Sequence, residues 1–348
     1  MIQALSLRQN SPREGARLRK VLVFGTALAA TCIASLLTPP GSAAAPLEPT
    51  PTPGGTVSAV PSPPPPEVPA PPPDVASGEA VQVTPPPPHR RTFAYGTHPR
   101  QQLDVYWRTS PTEGARPAVL LLHGGAWRQG SKNGWSYIAG RLTQLGYVAI
   151  APNYRLSQQA VWPAQRDDVQ SALLYVKQNA ARWGVDPDRI VAVGSSAGGH
   201  LATMLGTFGT GGEQVRGVVA MSPVNSPYLS VVDGNAAGEG GSRWAVRNAA
   251  IELVGCTPAD SDLVCLSRFE DASSTTYASA GDAPMLLMHS TDEFVPVTHS
   301  TGLADALNRV GVKTTVRTYP GKAHGVGIVS DEAVFLSVVR WIDSVAKS

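Results

Sequence analysis

A serine flanked by glycines is the residue whose type and spacing best suit chemistry. Residues 194–198 read G-S-S-A-G, a G-x-S-x-G pentapeptide with Ser196 at its centre. An apolar run, residues 190–193, precedes it, and a helix-compatible segment, residues 200–205, follows it. A nucleophilic serine in this pattern sits on a tight strand-to-helix turn, where glycines keep side chains out of a crowded space. We therefore predict that Ser196 is a nucleophile, and we give Ser195, at the variable position, a structural role.

A serine hydroxyl needs a neighbouring base, and the base needs an acid that orients it. Where a serine occupies such a turn, the acid and then the histidine follow it along the chain. Asp292 follows a buried strand-like run, residues 285–288, and His324 follows another that ends at Tyr319. We predict Asp292 as the acid, with Glu293 as the competing carboxylate, and His324 as the base.

Four other histidines are expected to be structural. His289 and His299 fit positions at a strand end and a helix start, and His200 lies too close along the chain to reach back to Ser196. His123 fits a brace for the loop that it begins.

That loop supplies the expected donors for a negatively charged oxygen. Residues 123–127 read H-G-G-A-W directly after a buried strand-like run. Adjacent glycines let backbone N–H groups approach a substrate closely. The N–H groups of Gly125 and Ala126, in the loop that begins with Gly124, are predicted to form an oxyanion hole with the N–H of Ala197.

All these residues lie in loops of an alternating strand and helix pattern. Such alternation predicts an α/β fold with a doubly wound, mainly parallel sheet, whose sites lie beyond the carboxyl ends of the strands. Strands are predicted at residues 92–95, 103–107, 118–122, 147–151, 189–193, 215–220, 285–288 and 314–319, and helices at residues 136–145, 164–183, 299–310 and 331–345.

Between about residues 223 and 283 the regular alternation fails. Gly234, Gly238, Gly240 and Gly241 indicate a flexible loop, and a helix is expected at residues 243–254. We predict a small cap insertion over the site, with an ordinary connecting excursion as the alternative.

The N-terminal region predicts export. Residues 1–44 contain a basic region, an apolar core and small residues, the layout of a signal peptide, with an uncleaved anchor as the alternative. Residues 45–89 are rich in proline and predict a disordered linker that could tether the domain, residues 90–348, to a membrane or cell wall.

Charge and cysteine content support the same interpretation. Residues 1–44 hold five basic and one acidic residue, a net of +4, and the whole chain carries +2, so the remainder carries −2. No basic surface for nucleic acid is therefore expected. Outside the signal segment Cys256 and Cys265 remain, and an even pair in an exported domain suggests a disulfide, with two free thiols as the alternative.

The motifs together resemble the α/β-hydrolase superfamily. Within it, the chain resembles hormone-sensitive-lipase-like esterases, especially the bifunctional feruloyl and acetyl-xylan esterase and kynurenine-formamidase-like branch. The matching motifs include residues 123–127, 153–156, 194–200, 292–296 and 324–325. The resemblance implies Ser196, Asp292 and His324 as a catalytic triad and the amides of residues 124–126 as the oxyanion hole.

The expected function is that of an exported serine carboxylesterase acting on small or polymer-linked esters through an acyl-enzyme, with no metal or organic cofactor. An amidase or formamidase of the same fold is the first alternative. A non-catalytic wall-associated binding protein is the second.

Overall fold

The computed structural model describes residues 86–109 and 114–346 of the 348-residue chain. The predicted signal or anchor, residues 1–44, and all but the last four residues of the predicted linker, residues 45–89, lie outside the described residues.

A single eight-stranded sheet forms the centre of the described domain, with strand order β1-β2-β4-β3-β5-β6-β7-β8. The first two strands pair antiparallel with each other, and β2 pairs antiparallel with β4, whereas all other pairs are parallel. The predicted mainly parallel sheet is therefore confirmed. The strands are β1 (His89–Ala94), β2 (Gln102–Trp107), β3 (Arg116–Leu122), β4 (Val148–Pro152), β5 (Val185–Ser195), β6 (Gly217–Met221), β7 (Met285–Ser290) and β8 (Thr314–Tyr319).

Helices cover both faces of this sheet, as expected of a doubly wound fold. The described part of the chain contains nine α-helices and four short 3-10 helices. They are α1 (Ser136–Gln144), α2 (Ala164–Gln178), α3 (Ala197–Thr207), α4 (Gly211–Gln214), α5 (Pro227–Ala237), α6 (Gly241–Val254), α7 (Leu263–Asp271), α8 (Thr298–Arg309) and α9 (Glu332–Ala346).

The apolar run of β3 shows why the central strands lack polar alternation. Successive side chains of a strand point to opposite faces. Leu120 and Leu122 pack into the core that contains α2, α3 and α8, whereas Val119 and Leu121 pack into the core that contains α1 and α9. Both faces are buried, so both sets of residues are apolar.

The strand order reverses direction between β3 and β5, since β4 lies on one side of β3 and β5 on the other. Open α/β sheets bind ligands beyond the carboxyl ends of strands at such a switch point. The H-G-G-A-W loop follows β3 and the G-S-S-A-G turn follows β5. The topology therefore brings the two motifs side by side.

The segment between β6 and β7 is mostly helical. It contains α5, α6 and α7, of which only α6 was predicted. Gly234 was predicted to lie in a flexible loop, and this prediction is wrong because Gly234 lies inside α5. A Cβ there would lie 2.4 Å from the Cβ of Arg247 on α6, so the missing side chain lets the two helices pack closely.

A disulfide joins the loop that follows α6 to α7. Cys256 and Cys265 are bonded, with their Cα atoms 5.9 Å apart. Asp262 caps the N-terminus of α7 by accepting a hydrogen bond from the Cys265 N–H at 2.9 Å. The bond therefore fixes the end of α6 to a capped helix start.

Candidate active site

Ser196 has the strained backbone expected of a serine on a strand-to-helix turn. Its φ and ψ are 55° and −119°, and it lies between the end of β5 and the start of α3. The Ser196 N–H donates to Met221 O at 2.8 Å, and its carbonyl accepts from His200 N at 3.0 Å. These bonds hold a conformation that a non-glycine residue rarely adopts.

The glycines around Ser196 are required by close backbone contacts. A Cβ on Gly194 would lie 2.0 Å from Gly198 O, and one on Gly198 would lie 2.1 Å from Leu122 O. A Cβ on Gly124 would lie 2.7 Å from Ser195 O. The turn and the end of β3 therefore meet backbone to backbone.

His324 follows β8 and pairs with Glu293, not with the predicted Asp292. Its Nδ1 lies 2.6 Å from Glu293 Oε2, whereas the Asp292 side chain is exposed and its backbone N–H donates to Gly321 O. The prediction of Asp292 is wrong because the turn after β7 directs the next side chain inward. Glu293, the competing carboxylate in the sequence, occupies the acid position.

The Glu293 carboxylate is buried and receives several hydrogen bonds. Besides His324, its Oε1 atom accepts from His289 Nδ1 at 3.0 Å, Ser222 Oγ at 2.8 Å and Ser290 N at 3.0 Å. Burial acts to raise the pKa of Glu293, but the hydrogen bonds from His289, His324 and Ser222 outweigh it and lower the pKa to about 2. The side chain is therefore ionised throughout the physiological range.

Ser222 is a site residue that the sequence reasoning missed. It follows β6 directly, is fully buried and has a positive φ of 49°. Its Oγ donates to Glu293 and accepts from Gly325 N at 2.8 Å, so it links the acid to the loop that holds His324. A polar residue immediately after a buried strand was the available signal.

Ser195 and Ser196 have different surroundings. Ser195 Oγ accepts a hydrogen bond from Val326 N at 3.0 Å, which gives this side chain a structural partner. Among the described residues, Ser196 Oγ is not hydrogen-bonded to His324, although both border one cavity. Bonds between a nucleophile and its base often tighten only when substrate is bound.

The loop after β3 presents free backbone donors beside Ser196. Gly125, Ala126 and Trp127 all have positive φ, at 119°, 51° and 57°. Among the described residues, the N–H groups of Gly125, Ala126 and Ala197 donate no hydrogen bond to the protein. Because Ala197 begins α3, its N–H also lies at the positive end of a helix dipole.

A cavity of about 690 Å³ joins these parts. Gly124, Gly125, Ala126, Ser196 and His324 all border it. Its other walls are partly polar and partly apolar, and comprise Arg128, Gln129, Gln158, Ser195, Ser242, Ala245, Val246, Phe294 and Val326. Trp127, Trp162 and Trp244 do not line it.

The four histidines predicted to be structural, His123, His200, His289 and His299, are all buried. His123 stacks on Tyr154 with ring centroids 4.2 Å apart, and His200 accepts from Trp127 Nε1 at 3.2 Å. Burial lowers the pKa of each ring to about 4. His289 contacts Glu293, as described above, and His299 Nε2 lies 3.5 Å from Asp233.

Within residues 86–109 and 114–346, no cluster of three or more histidine, cysteine or acidic side chains is arranged to hold a metal ion. In the same part of the chain, none of the helices combines the length and the apolar character needed to span a bilayer.

Comparison with known proteins agrees with the fold. This chain is similar to the probable carboxylic ester hydrolase LipM of Mycobacterium tuberculosis (strain ATCC 25618 / H37Rv). The two are 30% identical over 66% of this chain and 54% of LipM. The chain spans only 50% to 59% of the length of LipM and of two other curated relatives.

Two solved structures are also similar. A truncated carbohydrate esterase from gut microbiota superposes with a TM-score of 0.63 at 24% identity, covering 75% of this chain and 97% of that one. An acetyl ester-xyloside bifunctional hydrolase from Caldicellulosiruptor lactoaceticus gives a TM-score of 0.55 at 27% identity, covering 71% and 86%.

The family model BD-FAE matches residues 103–307, more than half of the chain. This match runs from within β2 to within α8 and includes the serine turn, Glu293 and residues 123–128, the loop predicted to form the oxyanion hole and named the oxyanion loop for that reason. The chain therefore belongs to the BD-FAE family of α/β-hydrolase esterases.

Proposed function

We propose that this chain is an exported serine carboxylesterase that hydrolyses carboxylic esters through an acyl-enzyme on Ser196. The observation that supports this best is the buried Glu293 carboxylate 2.6 Å from His324 Nδ1, in a cavity that Ser196 also borders. The names of LipM and of the acetyl ester-xyloside hydrolase support the same reaction class.

In the first step His324 acts as the base. Because Nδ1–H donates a hydrogen bond to Glu293, the neutral ring carries its proton on Nδ1 and keeps its lone pair on Nε2. Nε2 takes the proton from Ser196 Oγ as that oxygen bonds to the ester carbonyl carbon. Glu293 stays ionised and stabilises the imidazolium that forms, which its low pKa favours.

The carbonyl oxygen becomes negatively charged at the same moment. The unpaired N–H groups of Gly125, Ala126 and Ala197 are the proposed donors to it. One such donor is worth about 3 kcal/mol of barrier lowering. As the tetrahedral intermediate collapses, its bond to the alkoxide oxygen breaks and His324 gives its proton to the leaving alcohol.

Water completes the cycle by the same chemistry in reverse order. His324 removes a proton from water as the hydroxyl oxygen attacks the acyl carbon. The bond to Ser196 Oγ then breaks, Ser196 recovers the proton from His324, and a carboxylic acid leaves. No metal or organic cofactor takes part in this proposal.

The substrate is proposed to be a small or polymer-linked ester. Arg128, Gln129, Gln158 and Ser242 give the cavity polar walls that suit a polar alcohol group. Export is proposed from residues 1–44, which precede the proline-rich segment that would tether the domain to a membrane or cell wall. N-terminal sequencing of the protein from a secreting host tests this, with cleavage after Ala44 expected.

Two serine variants test the mechanism. Ser196→Ala should reduce the hydrolysis of p-nitrophenyl acetate to background, and Ser195→Ala should keep substantial activity. A fluorophosphonate probe should label the wild type and Ser195→Ala but not Ser196→Ala. A greater kcat/KM on an N-formyl amide than on acetyl esters would instead favour an amidase. A wild type that neither hydrolyses these substrates nor reacts with the fluorophosphonate probe would favour a non-catalytic protein.

A further inference from the structure

Two contacts of Glu252 on α6, and a third made by Ser157, connect the insertion between β6 and β7 to the oxyanion loop. Glu252 Oε2 lies 3.0 Å from Arg128 Nε, and Glu252 Oε1 accepts from Ser157 Oγ at 2.5 Å. The Ser157 N–H donates in turn to Trp127 O at 2.9 Å. The Glu252 carboxylate thus contacts Arg128, at the end of the loop, and Ser157, whose N–H is bonded to the loop.

The oxyanion loop needs such support because its backbone is unusual. Ala126 and Trp127 are non-glycine residues with positive φ, a strained conformation that persists only where the surrounding structure fixes it. Within the loop, Gly125 O accepts from Arg128 N at 3.0 Å and Gln129 N at 3.1 Å. These bonds define a turn, and the Trp127 indole links it to His200 of α3 at 3.2 Å. Glu252 adds a second link, on the opposite side, through Arg128 and Ser157.

The same helix that carries Glu252 also forms part of the cavity wall. Ser242, Ala245 and Val246 of α6 border the cavity, whereas Glu252 does not. A helix moves as a unit, so the position of the wall and the position of the loop are linked through Glu252. The C-terminal end of α6 is held by Trp162 N, which donates to Leu253 O at 2.7 Å.

We propose that Glu252 is a positioning residue for the oxyanion hole, through Arg128 on one side and Ser157 on the other. This inference rests on the proposed function, because it assigns Glu252 to the same reaction. Glu252 touches no reacting atom, and its effect is transmitted by the geometry of the Gly125 and Ala126 donors.

The Arg128–Glu252 ion pair is expected to affect the catalytic rate more than the folding stability. The Arg128 and Glu252 side chains are 45% and 31% exposed, and partly exposed ion pairs contribute little to folding. Misplacing a catalytic group by about 1 Å can cost about 100-fold in rate, and one oxyanion donor is worth about 100- to 1000-fold in kcat. The expected signature is therefore a fall in kcat with little change in Tm.

The test uses the full chain and p-nitrophenyl acetate. Glu252→Ala should lower kcat by about 10- to 100-fold and change KM by less than about threefold. Affinity for a trifluoromethyl ketone, which mimics the oxyanion, should fall in proportion to kcat/KM. Asn248→Ala is the matched control, because Asn248 is exposed on the same helix and contacts Arg247 rather than the loop.

Ser157→Ala removes the hydrogen bond to Glu252 but leaves the Arg128 contact, so it should lower kcat less than Glu252→Ala does. The double variant with Glu252→Ala should be no slower than Glu252→Ala alone, since both changes break the same connection. If Glu252→Ala does not fold by circular dichroism, Ser157→Ala and the trifluoromethyl ketone decide, and unchanged values overturn the proposal.

Other outcomes also overturn it. A kcat for Glu252→Ala within twofold of Asn248→Ala, a loss confined to KM, or additive losses in the double variant would each contradict positioning through this contact. A wild type that does not hydrolyse the ester would instead refute the proposed function, so the two failures are distinguishable.

Discussion

His324 Nδ1 lies 2.6 Å from Glu293 Oε2, and the neighbouring Asp292 carboxylate faces solvent. The turn after β7 explains the choice between these adjacent acids. The Glu293 side chain folds back to accept the Ser290 N–H at 3.0 Å and enters a pocket that also presents His289 Nδ1. Two donors at the end of β7 thus orient the carboxylate toward His324.

The first prediction separates these two acids. Glu293→Gln should lower kcat by about 1,000- to 10,000-fold, because an amide no longer stabilises the imidazolium and can select the wrong tautomer. Asp292→Asn should stay within about twofold of the wild type. Steady-state kinetics on p-nitrophenyl acetate measure both, and the reverse ranking would return the acid role to Asp292.

Much of this arrangement was visible in the sequence. Apolar runs predicted the parallel strands, because both faces of the sheet are buried. Motifs at strand ends predicted that Ser196, His324 and the 124–126 loop belong to the site. The choice between Asp292 and Glu293 was not visible, since it depends on which side chain the turn directs toward the donors of Ser222 and His289.

The inserted helices were also poorly predicted, for a different reason. Glycine has a low helix propensity, so Gly234 indicates a loop. It nevertheless lies in α5, where the absence of a side chain lets α6 pack closely against it. That benefit comes from a tertiary contact, which local sequence does not reveal. Glu252 was missed for the same reason, because its partners lie about one hundred residues earlier in the chain.

The second prediction concerns acid stability. Burial lowers the pKa of His200 from its ordinary value of 6.5 to about 4, so the unfolded chain binds the proton more readily than the folded one. The stability contribution is therefore complete above pH 6.5 and is lost as the pH falls toward 4. The loss from His200 is about 3 kcal/mol at most.

Urea unfolding between pH 7 and pH 4 measures this loss. His200→Gln should show a weaker dependence of the free energy of unfolding on pH than the wild type. His89→Gln, at an exposed position on β1, should keep the wild-type dependence. Parallel curves for His200→Gln and the wild type would contradict the assignment.

The third prediction compares two glycines. Gly198→Ala should destabilise the fold by about 1–3 kcal/mol, because its Cβ would lie 2.1 Å from Leu122 O, a backbone atom. Activity should fall with it, since the displaced backbone supports Ser196. Gly302→Ala, in α8 with open space at the Cβ position, should stabilise by about 0.5–1 kcal/mol and leave kcat unchanged. Denaturation and kinetics of both variants check this; equal effects would contradict it.

The fourth prediction tests the disulfide. Cys256 and Cys265 are nine positions apart, and closing so short a loop contributes about 2–3 kcal/mol on the chain-entropy estimate. The Cys256→Ser/Cys265→Ser variant should therefore melt about 4–12 °C lower. Reductant should lower the Tm of the wild type but not that of the variant. A thiol titration should find one thiol, from Cys32, in the denatured uncleaved chain and none in the protein cleaved after Ala44. Two additional thiols in either form would show that the pair is reduced, and the Tm difference should then vanish.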